Sequence, residues 1–249
     1  MIKGIVLISA ILLFVSFFNG CSTAPKFVKE EKSKVITNEK PGPPVIKNLD
    51  LDERMSIKSQ NIQSVDKIQF VYNSHGKLTG GQKISQLKYD PYGFITSTVF
   101  YSRDGSVEQK YEYNYDKNDF RTETIRYDSK GKADKKYIYE YNKYGNKTKA
   151  SRYSNNGDLE KYYLYNYDDQ GNLTGELWYD KTGKLEMKVI NHYDPDGNKI
   201  ESLNYNPDDD LLSKESFIYD KNGNIIEEDR YDDNNNPVSI IQYVYKYYH

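Results

Sequence analysis

One turn recurs along most of this chain, and its spacing limits what the chain can become. It stands as Tyr89-Asp90-Pro91-Tyr92-Gly93, and its leading tyrosine returns at 101, 115, 127, 141, 153, 167, 179, 193, 205, 219 and 231. The steps alternate between 12 and 14, so the repeat is 26 residues long. Self-similarity of this kind belongs to repeat architectures. The residue after the tyrosine is always Asp, Asn or Ser, whose side chain starts a type I turn by bonding backbone two residues on. Four residues after it stands glycine, at Gly76, Gly93, Gly105, Gly131, Gly145, Gly157, Gly171, Gly183, Gly197 and Gly223. The exceptions are Asp119, Asp209 and Asn235. These are the side chains that best tolerate a left-handed backbone. The pattern predicts a hairpin loop with a type I turn and a left-handed bulge residue.

Stretches of about seven to nine residues separate the turns, a normal strand length. The expectation is an all-β domain, an antiparallel meander of about 14 short strands. A sheet of that width coils, and an open curved sheet or short spiral is the expected form. Because both steps are even and side chains alternate faces with period 2, one face should collect the odd-numbered residues. That face holds Tyr111, Tyr113, Tyr137, Tyr139, Tyr163 and Tyr165 in long units, with Ile95, Val99, Ile125, Leu173, Leu177, Leu203 and Ile225 in short ones. The even face, with Lys110, Lys136, Lys188, Lys214, Arg126, Arg152 and Arg230 among acids, reads as a solvated mixed-charge surface. With 26 tyrosines and only 37% hydrophobic residues, the core must be built of phenol rings that need polar partners.

The first residues read differently. Met1-Ile2-Lys3 precedes an uncharged apolar run from Gly4 to Phe18, and then Asn19-Gly20-Cys21. This is the layout of a secretory signal, and it is short for a transmembrane span. A small residue before the chain's single cysteine resembles the bacterial lipoprotein signal, although Phe18 stands where that pattern prefers Leu. The resemblance implies cleavage after residue 20 and acylation of Cys21. Residues 21–65, with Pro41-Gly42-Pro43-Pro44 and clustered charge, read as a lipidated N-terminus and flexible linker. A helix is placed around Leu51–Ile57. The repeat domain is assigned to 66–249.

With Tyr-Asp-x-x-Gly-Asn-Leu at 167–173 and Tyr-Asp-x-x-Gly-Asn-Ile at 219–225, the repeat region resembles the YD/RHS family, and more weakly the MORN-type repeats. The first resemblance implies a single-layer spiral sheet. It carries over no catalytic residue.

Function is bounded mostly by exclusion. The net charge of −2 gives no attraction to nucleic acid. No phosphate loop, Gly-x-Ser-x-Gly or Cys/His nucleophile arrangement is present. His75, His192 and His249 lack ligand spacing, and the acid-rich turns match no calcium loop. Glu227 and Glu228, as strand neighbours, face opposite ways and cannot share a substrate. A membrane-spanning barrel lacks its apolar band. The expectation is therefore a lipid-anchored cell-envelope protein, at the outer membrane or cell surface, without cofactor, metal or catalysis. Its partners would be membrane lipid, through Cys21, and a glycan or protein ligand. Phe100, Tyr162, Tyr163 and Trp178 are the candidate ligand platform. The alternatives are a structural or assembly component of the envelope, or a toxin-system accessory.

Overall fold

The computed structural model describes residues 49–249; Cys21 and the signal segment lie outside them. Among the described residues one helix, α1 (Leu49–Ser59), precedes fourteen strands. These are β1 (Ile62–Tyr72), β2 (Leu78–Tyr89), β3 (Ile95–Tyr101), β4 (Val107–Tyr115), β5 (Arg121–Tyr127), β6 (Ala133–Tyr141) and β7 (Lys147–Ser154). Then follow β8 (Leu159–Tyr167), β9 (Leu173–Asp180), β10 (Leu185–Tyr193), β11 (Lys199–Tyr205), β12 (Leu211–Tyr219), β13 (Ile225–Asp232) and β14 (Pro237–Tyr247). Helix α1 and the first residues of β1 thus fall within the stretch read from sequence as linker.

Each strand pairs antiparallel with its neighbour in sequence, and β1 pairs with β14, so the sheet closes into a barrel. This corrects the expected open sheet or spiral. The physical reason lies at the two edges. Residues 62–71 of β1 pair with β14 from Tyr247 back to Ser239. An ion pair between Lys246 and Asp66 (3.2 Å) and a Gln69–Ser239 hydrogen bond (3.2 Å) fasten the seam. Closure leaves no unpaired edge, which an open meander would have to protect by other means.

The turns form as their chemistry requires. At 90–94 the amide of Gly93 donates to the Asp90 carbonyl, and the Asp90 side chain accepts from the amides of Tyr92 and Phe94. Backbone φ is positive at the ten turn glycines, and also at Asp119 (68°), Asp209 (67°) and Asn235 (61°).

The expected facing of side chains needs a second correction. Tyr115 pairs with Arg121, yet Asn114 pairs with Glu123, leaving Thr122 as an extra residue. Across the next turn Tyr127 pairs with Ala133 but Arg126 with Lys135, leaving Asp134 extra. Each such bulge shifts the register by one and inverts the parity. Two bulges per repeat restore it. Long strands therefore point their odd residues inward, as expected, while short strands point their even residues inward beyond the bulge. Val99, Ile125, Leu177 and Leu203 lie on the outer face; Thr98, Thr124, Arg126, Arg152 and Arg230 lie inside. Ile95, Leu173 and Ile225 precede the bulge and stay inward and buried.

The repeated tyrosine has a specific task inside this barrel. The hydroxyls of Tyr115, Tyr141, Tyr167, Tyr193, Tyr219 and Tyr245 donate to the carbonyls of Ile95, Arg121, Lys147, Leu173, Lys199 and Ile225, at 2.7–3.1 Å. Each phenol thus satisfies a carbonyl at the start of the preceding short strand, before that strand's pairing with the tyrosine's own strand begins. The ring packs inside and the hydroxyl ties the barrel's end together.

Helix α1 lies over that same end. Ile57 is fully buried against Ile62, Val65, Leu87, Tyr89, Ile95, Ile225, Ile241 and Tyr243. Arg54 stacks its guanidinium over Phe94 (4.4 Å) and pairs with Asp119 (2.7 Å). Gln60 exchanges amide hydrogen bonds with Asn224 on the far side. The helix therefore reaches the turns before β3 and β5, and Gln60, just after it, reaches the turn before β13.

Candidate functional site

The candidate site is the lumen at the end away from α1. A barrel of about eight strands is just filled by its own side chains, whereas 16–18 strands leave an aqueous channel. Fourteen strands lie between the two cases, and much of the interior is filled: Tyr137, Thr124, Glu228, Lys67 and Arg230 are buried. On or beside the inner face, Glu160 (26%), Glu186 (35%) and Glu215 (20%) keep part of their surface accessible.

Seven consecutive strands, β3 to β9, contribute one inward residue each to a belt: Phe100, Tyr111, Arg126, Tyr137, Arg152, Tyr163 and Trp178. The rings of Phe100 and Tyr111 meet edge-on at 5.7 Å, Tyr111 and Tyr137 are 6.3 Å apart, and Tyr163 meets Trp178 edge-on at 5.3 Å. Tyr111, Tyr137 and Tyr163 are buried, and Phe100 and Trp178 are half-buried at the two ends. Burial pushes the hydroxyl pKa values of Tyr111 and Tyr163 well above the ordinary phenol value.

A ladder of ion pairs runs above the belt toward solvent. Arg126 pairs with Asp134 through two hydrogen bonds, and its Nε–Oδ1 distance is 2.8 Å. Glu160 accepts from both Lys135 and Arg152, the latter at 3.1 Å, and Lys161 pairs with Glu186. Asp134, Glu160 and Glu186 are the bulge residues of β6, β8 and β10. The bulge thus places an acid beside each inward cation. The ladder's formal balance is +1: four cations, Arg126, Lys135, Arg152 and Lys161, face three acids.

The opposite wall, β11 to β1, is charged at depth. Arg230 Nε donates to Glu228 at 2.6 Å and lies 3.8 Å from Glu215. Tyr243 donates to Glu228 at 2.7 Å, and the Lys67 ammonium is 4.0 Å from the same carboxylate. Burial alone would raise the Glu228 pKa, but Arg230, Lys67 and the Tyr243 hydroxyl outweigh it and hold the group down at about 2. Burial, and then the neighbouring Glu228 charge, push Glu215 up.

The sign of the pH effect follows from this. A carboxylate held below its ordinary 4.5 stabilises the fold above that pH and loses the contribution as pH falls toward its folded value. Glu228→Gln should therefore lower Tm by its full amount from about pH 5 upward, and the gap to wild type should narrow as pH falls toward about 2. A gap that stays constant over that range would contradict the ion-pair assignment.

Of the sequence candidates, Phe100, Tyr163 and Trp178 come together in the lumen. Tyr162 does not; it stacks on Tyr179 outside, with ring centroids 4.9 Å apart. No tyrosine between 137 and 167 is exposed. The arginines at 126, 152 and 230 were assigned from sequence to the solvated face with the lysines. The bulge turns them inward, while Lys110, Lys136 and Lys214 remain outside.

These features define a closed, up-and-down antiparallel barrel with a helix over one end and solvent-accessible charged side chains lining the other. No protein-family model matches the chain, and no curated protein matches it. Solved structures align with it at low identity. A porin-like protein from Bacteroides uniformis covers 75% of this chain and 97% of its own, at 10% identity and a TM-score of 0.45. A LolA superfamily protein from Nitrosomonas europaea covers 79% and 91%, at 10% identity and 0.33. The Tc holotoxin pore of Photorhabdus luminescens covers 64% of this chain but 11% of its own, at 13% identity and 0.19. At TM-scores below 0.5 none of these likenesses decides fold or function.

Proposed function

We propose that this protein is a lipid-anchored, non-catalytic binding barrel of the cell envelope, which takes a glycan at the lumenal belt. The anchor reading rests on Cys21 and its preceding apolar run. The barrel wall does not suit lipid contact: its outer face carries Lys110–Glu112, Lys136–Glu123 and Lys149–Glu140 pairs on consecutive strands. A charge at the bilayer midplane on such a face costs ~2–4 kcal/mol.

The observation that carries the binding reading is the belt itself. Half-buried Phe100 and Trp178 flank guanidiniums already paired with carboxylates. Paired arginine and glutamate present both donors and acceptors at nearly zero net charge, which suits hydroxyl-rich rings. Aromatic edges and faces supply the apolar contact. A protein ligand is the second reading, and the outer pair Tyr162–Tyr179, with Lys149 5.8 Å from the Tyr162 ring, is where it would dock.

Trp178 is the only tryptophan, so its fluorescence reports on the belt directly. Titration of the full chain with neutral oligosaccharides should give a saturable change in emission. Trp178→Ala with Phe100→Ala should weaken binding, followed by calorimetry, by at least about tenfold, since the rings at both ends of the belt are lost. Binding of unchanged strength in that variant would sink the belt as the site.

A further inference from the structure

The repeat changes character on the outer wall of the last strands, near the α1 end. In β3, β5, β7 and β9 the extra residue of the first bulge is Thr96, Thr122, Thr148 and Thr174, and its hydroxyl donates to the carbonyl eight residues earlier at 3.2–3.4 Å. In β11 and β13 the same bulge holds Ile200 and Ile226, whose side chains cannot make that bond. On the long strands, the outward residue before the repeat tyrosine is Lys88, Asn114, Glu140, Asn166 and His192, and then Ile218 and Val244. Strands β11 to β14 are adjacent, so Ile200, Ile218, Ile226 and Val244 form one aliphatic arc. Each is 40–46% exposed. A single exposed aliphatic is ordinary. Four on consecutive strands, where earlier repeats carry polar groups, mark a contact surface.

The charges around the arc indicate what fits it. The outer faces of β11 to β13 carry Glu201, Glu227 and Asp229 against Lys214, with His192 of β10 paired to Glu201 at 2.9 Å. Those of β14 to β2 carry Lys83, Lys88 and Lys246 against Asp66, which pairs with Lys83 and Lys246. Acid therefore dominates one side of the arc and cation the other. Such a surface complements itself. A two-fold axis between β12 and β13, parallel to the barrel axis, lays arc on arc and brings the acids of one copy toward the lysines of the other. We propose that the arc is the interface of a homodimer, covered by a second copy of this chain. This arrangement leaves both α1 ends on one side, as two chains on one membrane surface need, although the arc does not rest on the anchor reading.

The test is sedimentation velocity of the full chain over a range of concentrations. Wild type should associate reversibly to a dimer. The fourfold variant Ile200→Thr, Ile218→Asn, Ile226→Thr, Val244→Asn carries at each place a residue that earlier repeats carry there, and should weaken association by at least about tenfold. Val107→Thr, an aliphatic of β4 that is 42% exposed, should leave it unchanged. Lys246→Glu, 56% exposed at its side chain, should weaken association by about threefold or more, since it sets acid against acid. If the fourfold variant does not fold, Lys246→Glu decides. The proposal is overturned if wild type stays monomeric at every concentration, or if the variants associate as wild type does, as they would were the apolar run of residues 4–18 responsible. A wild type that stays monomeric but binds phosphatidylcholine vesicles, with binding lost in the fourfold variant, would assign the arc to lipid and overturn the dimer.

Discussion

Gly93→Ala should release helix α1 from the barrel, whereas Gly131→Ala, at an equivalent turn position, should only strain its loop. Both glycines have positive φ, +86° and +75°. For a non-glycine residue that backbone costs ~1–3 kcal/mol. A Cβ on Gly131 meets nothing within 4 Å. A Cβ on Gly93 would stand 2.2 Å from the Arg54 carbonyl oxygen, which is backbone and cannot rotate away. The helix must move, and Ile57 leaves its pocket, forfeiting ~1.5–3 kcal/mol of apolar burial. The Arg54 contacts with Phe94 and Asp119 go with it. Hydrogen exchange should therefore show protection lost across 49–59 in Gly93→Ala and retained in Gly131→Ala. Equal destabilisation of the two variants, with α1 still protected in both, would refute the docking geometry.

Arg230→Ala should be the most damaging single change within the lumen, at ~3–5 kcal/mol, because removing one partner of a buried ion pair leaves the others uncompensated. Here Glu228 would keep only Lys67, at 4.0 Å, and the Tyr243 hydroxyl. Glu215 would face it as a second carboxylate without the intervening guanidinium. The double variant Arg230→Ala with Glu228→Gln should recover part of the loss, since it no longer buries an unpaired charge. Urea unfolding measures both. A cost below about 1 kcal/mol for the single variant would mean that the cluster behaves as a solvated surface pair.

The belt was partly legible beforehand. Phe100, Tyr163 and Trp178 could be named as large aromatics: Tyr163 holds the repeat position of Tyr111 and Tyr137, and Phe100 and Trp178 stand where other repeats carry Arg126 and Arg152. Tyr162 was grouped with them only because it adjoins Tyr163, and on a strand such neighbours face opposite ways. The cations between the rings were misplaced for a different reason. Arg126, Arg152 and Arg230 share a repeat position and an even number, and counting parity along the chain put them with the outer lysines. A signal was present: Asp134, Glu160 and Glu186 also recur at 26-residue steps, as bulge residues with a fixed cationic partner would.

What the amino-acid sequence determined by itself is the local backbone. Turn placement, the left-handed residue at each turn, the strand count and the antiparallel order follow from demands that a few consecutive residues impose on φ and ψ. Glycine, aspartate and asparagine meet them wherever they stand. Tertiary structure decided the rest. Closure depends on pairing between β1 and β14, at opposite ends of the described chain, and β1 carries none of the tyrosine turn signature on its leading side. The direction of each short strand's side chains depends on a one-residue bulge. That bulge exists only once two strands are hydrogen-bonded. Whether an arginine lies in a lumen or in water therefore rests on pairing across space, which no count along the chain contains.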